Sequence, residues 1–131
     1  MTATPARRLV EAFGDVAAMS ALYAPNISWR LSQSLPDQVR GPHIGADAVV
    51  AFNNAVFGTF YEADSYSVEI HDELGDADHS VVRFTFRATT GSGHPYAVEY
   101  VLFAKTRDEL IVEVVELLDT QASTAQHGGP A

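Results

Sequence analysis

The stretch PYAVEYVLFAKTRDELIVEVVELLDT, residues 95–120, decides how the rest of the chain must be arranged. Residues 96–105 and 110–119 are rich in valine, leucine and aromatics and are separated by a short polar segment, so they read as two strands of a hairpin. Glu116 stands in the second run where an apolar side chain is expected. A carboxylate on the covered side of a strand is costly unless something uses it, so Glu116 is the first candidate for chemistry.

Upstream of the hairpin the pattern is again of strands. Residues 80–89 form a long run followed by the turn residues Gly91, Ser92 and Gly93, and residues 66–70 alternate before an acidic turn at 72–78. Nearer the start, residues 4–13 predict a helix with Thr4 as N-cap and Pro5 in the first turn. Gly14 ends it, and Asp15 caps a second helix reaching about Tyr23. Ile27, Trp29 and Leu31 alternate with polar neighbours as in a strand, and residues 32–45, with their prolines and glycines, predict a loop. A third helix over 46–57 has a broad face made of Val49, Val50, Phe52, Asn53, Val56 and Phe57. Helices followed by a meander predict an α+β domain over 1–120, with helices on an antiparallel sheet. The small polar residues 121–131 predict a flexible tail.

Composition removes several kinds of partner. A net charge of −9 disfavours nucleic acid and anionic membranes, both of which require clustered Lys and Arg. There is no cysteine, so disulfides and thiolate chemistry are excluded. No apolar run approaches a membrane span. Glu11 and Asp15 interrupt the apolar stretch after Arg7 and Arg8, which argues against a signal peptide and for the cytoplasm. His71 and His79 flank the acidic turn but match no standard metal spacing, so no metal is expected. His43, in the long loop, is a candidate for a pocket mouth. No phosphate-binding loop or nucleophile elbow is present, and no cofactor is expected.

The segments LYAP-x-x-x-W (22–29), G-x-x-x-G-A-D-A-V (41–49) and VVELLDT (114–120) make the chain resemble the NTF2-like superfamily, in particular its SnoaL-like and ketosteroid isomerase-like members. The resemblance implies an α+β cone, with three N-terminal helices packed in the concavity of a curved, mostly antiparallel sheet around a ligand pocket. A more distant similarity to limonene-epoxide hydrolase places Arg83 on that family's pocket Arg, Thr85 on its first Asp and Glu116 on its second. Trp29 and Leu31 replace its water-positioning Tyr and Asn. The positions that carry catalysis in ketosteroid isomerase correspond to Leu31, Leu102 and Arg7.

Alternation alone puts Val82, Phe84 and Phe86 in the core and Arg83, Thr85 and Arg87 in water. The resemblance implies the opposite: Arg83, Thr85 and Arg87 face the cone with Val98, Tyr100, Leu102, Val114, Glu116 and Leu118, while Phe84, Phe86, Val101, Phe103, Val115 and Leu117 form a convex apolar face closed by a homodimer. On that expectation Glu116, Arg83 and Tyr100 are catalytic. Trp29, Leu31, Phe52, Thr85, Arg87, Val98, Leu102, Val114 and Leu118 bind a small apolar molecule. The implied function is cofactor-free acid–base chemistry on that molecule, an isomerisation, cyclisation or hydrolysis. The alternative is a non-catalytic pocket or a dimeric accessory domain.

Overall fold

In the computed structural model, which describes residues 3–128, the elements follow the order α1 (Pro5–Glu11), α2 (Val16–Ser20), β1 (Tyr23–Leu31), α3 (Asp37–Arg40), β2 (His43–Ile44), α4 (Ala46–Ala55), β3 (Ser67–Gly75), β4 (His79–Thr89), β5 (Pro95–Arg107), β6 (Leu110–Leu118) and α5 (Thr120–Gln126). The strands form one sheet in the order β2-β1-β6-β5-β4-β3. Every pairing is antiparallel except β1 with β6. This is the α+β cone expected from the sequence: a curved sheet with helices in its hollow.

Local chemistry starts the helices where the sequence placed them. The Thr4 hydroxyl accepts from the Arg7 amide at 3.3 Å, and Pro5 occupies the first turn, where its missing N–H costs nothing. The Asp15 carboxylate accepts from the Ala18 amide at 3.1 Å and opens α2. Between them the chain reverses at Gly14, whose φ is 95°. A side chain there would be strained, and its Cβ would lie 2.4 Å from the Tyr66 ring. α4 continues into one turn of π-helix, Val56–Phe60, a geometry that recurs at functional sites.

The core lies between helices and sheet. Ala6, Leu9 and Val10 of α1, Met19 of α2 and Val49 of α4 meet Val82, Phe84, Leu102, Ile111 and Val114 of the sheet, all of them fully or almost fully buried. Phe13 sets its ring edge-on to Phe84 and Phe86, with centroids 5.7 and 6.0 Å apart.

These contacts overturn the orientation implied for β4. Residues directly opposite each other in an antiparallel pair share a face. Phe84 stands opposite Tyr100, Val82 opposite Leu102, and Phe86 opposite Val98. The aromatics therefore accompany Tyr100 into the concavity, and Arg83, Thr85 and Arg87 point outward. Burial favours each phenylalanine by about 2 kcal/mol, whereas a buried guanidinium without a partner is heavily penalised. On β4 the alternation of the residues was the correct guide and the register transferred from the resemblance was off by one residue, which flips each of its side chains, whereas on β5 and β6 the implied faces agree with the structure.

Other expectations change: Tyr23, expected at the end of the second helix, opens β1, and residues 72–75 of the expected acidic turn belong to β3. The loop at 32–45 contains the short helix α3 and the short strand β2. Residues 120–126, expected in a flexible tail, are helical. Asp119 caps this helix by accepting from the Ala122 amide at 3.0 Å, and Gln126 exchanges hydrogen bonds with the Ala97 backbone. Residues 129–131 of that tail lie outside the described residues.

Candidate active site

The open end of the cone is a cavity of about 540 Å³, within the range of small-molecule pockets. Its wall is rich in aromatic rings. Trp29 comes from β1, Phe52 and Phe57 from α4 and its π-helical continuation, Tyr61 from the segment beyond it, Phe86 from β4 and Tyr100 from β5. Neither Lys nor Arg lines the cavity among the described residues.

Glu116 lies on this wall, 6% exposed. It stands opposite Leu102 on β5 and Leu31 on β1. Among the described residues its one hydrogen-bond donor is Trp29, whose Nε1 reaches Oε1 at 3.0 Å. Burial penalises the charged form and raises the Glu116 pKa to about 7, and the indole hydrogen bond offsets only part of that rise. A carboxyl group in this state exchanges protons in either direction near neutral pH, as general acid–base catalysis requires.

Three phenols surround the carboxylate closely enough to feel its charge. Tyr23, Tyr61 and Tyr100 are each held well above the ordinary phenol range, chiefly by burial and secondarily by charged or polar neighbours including Glu116. They stay protonated and serve as hydrogen-bond donors. Tyr23 donates to Asn53 Oδ1 at 2.6 Å. The Asn53 side-chain nitrogen has no acceptor among the described residues, and Asn53 also lines the cavity. Farther along β5, Tyr96 bonds both Tyr100 and Ser123 through its hydroxyl, at 2.7 Å each.

The structure thus brings together Glu116, Tyr100, Trp29, Leu31, Phe52 and Leu118 around one cavity. Val98, Leu102 and Val114 share the concave face but are buried in the core beneath the cavity rather than lining it. Arg83, Thr85 and Arg87 are elsewhere. Arg83 is bound on the convex face to Asp72 and Glu99, at 2.7 Å each, and Arg87 to Glu69 at 2.8 Å. Thr85 Oγ1 lies 2.7 Å from His71 Nε2. No Arg83–Glu116 pair exists, because adjacent residues of a strand cannot point to one side and Arg83 shares the face of Val101, not of Leu102. The hydrolase-like arrangement of an arginine between two pocket acids is absent.

His43 sits behind the wall, stacked on Phe52 with centroids 4.0 Å apart. No cluster of His, Cys, Asp or Glu able to hold a metal occurs among the described residues. Among the described residues no helix is long and apolar enough to cross a membrane.

Among the cavity residues outside the expected site are Asn53, Tyr61, Ser123 and His127. Asn53 had a visible signal, as a polar side chain on the apolar face of a helix. Tyr61 falls between predicted elements. Ser123 and His127 belong to a segment whose composition gave no sign of order.

The family model of the SnoaL-like domain matches residues 6–114. The chain belongs to the SnoaL-like domain family. No curated protein matches it. Among solved structures, this SnoaL-like chain is similar to an NTF2-like protein of unknown function from Burkholderia pseudomallei, with 22% identity, 93% of each chain covered and a TM-score of 0.77. It is also similar to a putative SnoaL-like polyketide cyclase from a Jannaschia species, with 15% identity, coverage of 97% of this chain and 93% of that one, and a TM-score of 0.76. A third is TerC, co-crystallised with polyporic acid, with 16% identity, 95% and 96% coverage and a TM-score of 0.80. At these identities the likeness concerns the fold. Glu116, Ser123 and His127 lie beyond the residues that the family model matches.

Proposed function

We propose that this SnoaL-like protein binds a neutral, largely apolar small molecule in its cone and moves a proton on it with Glu116 as general acid–base, as in an isomerisation or a cyclisation. The observation that carries this reading is the solitary carboxylate: buried in an aromatic cavity, paired with no cation, held by one indole, and titrating at about 7. A carboxylate kept only for stability would have an ion-pair partner or lie at the surface. Tyr100, protonated and on the same wall, is the donor placed to stabilise charge developing on a carbonyl oxygen of the bound molecule.

The test needs no knowledge of the natural substrate. 2-Tetralone, an enolisable ketone with a benzylic carbon beside its carbonyl, is incubated with the protein in deuterated buffer, and exchange at that benzylic carbon is followed by NMR. Wild type accelerates exchange, and Glu116→Gln removes the acceleration while 2-tetralone still binds. Binding without acceleration in wild type would instead indicate the non-catalytic pocket.

The convex face supports a homodimer. Val101 stands opposite Leu117 and Phe103 opposite Val115, forming an apolar block in which Phe103 and Leu117 are 36% and 38% exposed. This block is smaller than the sequence implied, because Phe84 and Phe86 are inside. Sedimentation equilibrium of wild type against Phe103→Glu tests it, with the variant expected to be monomeric.

A further inference from the structure

The cavity holds a second polar group, of which the acid–base reading uses only Tyr100. Tyr100, Tyr96 and Ser123 form a chain of hydroxyls joined by two hydrogen bonds of 2.7 Å. Each hydroxyl owns one proton. Tyr61 stands beside this chain and interacts with the hydroxyls of both Tyr96 and Tyr100. The cluster meets the cavity at Tyr61, Tyr100 and Ser123, whereas Tyr96, 2% exposed, is off the cavity wall. Beside this chain, His127 Nε2 lies 3.3 Å from the Tyr61 hydroxyl, and its ring packs on Tyr61 and Tyr96 with centroids 5.2 and 4.8 Å away. Tyr61 and His127 also line the cavity. The second group thus offers hydroxyl protons and lone pairs to the cavity.

We propose that the C-terminal segment bearing Ser123 and His127 is a ligand-recognition element, which with Tyr61, Tyr96 and Tyr100 builds a subsite for a hydroxyl or carbonyl oxygen on an aromatic ligand. This rests on the cavity being a small-molecule site, as proposed above. A buried donor left without an acceptor costs free energy, so a ligand lacking the oxygen is disfavoured while one bearing it regains the bond. Leu102 stands opposite Glu116, and Tyr100 and Tyr96 follow on the same face toward the start of β5. The oxygen is therefore read at a position displaced along β5 from Glu116, and the segment after β6 sets specificity without taking part in proton transfer.

The experiment compares equilibrium binding of naphthalene and 2-naphthol, two flat probes that differ by one hydroxyl. Wild type binds 2-naphthol about tenfold more tightly. In Ser123→Ala and in His127→Phe the ratio falls, and in the double variant it approaches one, with naphthalene still bound and cooperative unfolding retained as evidence that the fold is intact. In Glu116→Gln the ratio persists. A ratio near one in wild type, a tenfold ratio surviving in the double variant, or a ratio abolished by Glu116→Gln alone each overturns the assignment. Failure of naphthalene itself to bind wild type overturns the small-molecule reading of the cavity, and this proposal with it.

Discussion

Trp29 donates its indole N–H to the Glu116 carboxylate across 3.0 Å, from one strand to its parallel neighbour, with no cation on the surrounding wall. The bond fixes the carboxylate against the side of the cone. It also sets the balance of its titration, because an indole donor favours the charged form while burial disfavours it.

That balance makes stability depend on pH in an unusual direction for a glutamate. The folded protein titrates Glu116 at about 7, against 4.5 for the reference carboxyl. Below pH 4.5 both folded and unfolded states hold the proton, and no penalty exists. As pH rises toward 7 the unfolded state releases its proton first, so unfolding gains, and above 7 the penalty is complete. The shift corresponds to roughly 3 kcal/mol. Urea unfolding of wild type and Glu116→Gln at pH 4.5 and pH 8 measures it: the variant gains on wild type by up to that amount over the interval. A difference that stays constant with pH contradicts the assignment.

Replacing the indole by a ring without a donor moves the titration further up. Trp29→Phe leaves the carboxyl buried and removes the group that favoured its charged form, so the Glu116 midpoint rises above 7, by roughly one unit. Carbon-13 NMR of labelled glutamate follows this midpoint directly. A downward movement would show that Trp29 does not act through the hydrogen bond.

Arg83 is a control with a sharp expectation. Its guanidinium faces water between Asp72 and Glu99. Arg83→Met therefore leaves 2-tetralone exchange and naphthol binding at wild-type levels. Loss of either activity in a folded Arg83→Met protein would return the arginine to the site.

Phe84, one residue along, behaves oppositely. It is fully buried, stacks on Tyr100 at 5.4 Å and meets Phe13 edge-on. Phe84→Ala costs about 3–5 kcal/mol in denaturant unfolding, through lost transfer energy and the cavity left behind. A cost below about 1 kcal/mol would mean that this strand face is not packed as described.

The contrast between Arg83 and Phe84 shows what was legible in the sequence. Element order, caps at Thr4 and Asp15, and the hairpin at the end of the chain follow from local rules, since capping, turns and alternation depend on neighbours in sequence. The face of β4 was also legible, from alternation, and the error arose from carrying a register across a distant resemblance. Glu116 announced itself as a charge among hydrophobes. His127 and Ser123 did not, because a small polar helix owes its order to what it packs on. Ser123 meets the Tyr96 hydroxyl and His127 the rings of Tyr61 and Tyr96, and no property of residues 120–127 alone reveals those partners.

Trp29 and Glu116 lie 87 residues apart in the chain. Closing so long a loop is slow and entropically expensive compared with forming hairpins or helices. A chain that ends at β5 lacks the one strand that joins β1 to β5, and with it the carboxyl group that Trp29 holds. The quenching or shift of the lone tryptophan's fluorescence when β6 docks is thus a clock for maturation: the same contact that readies the protein for chemistry reports that its last strand has arrived.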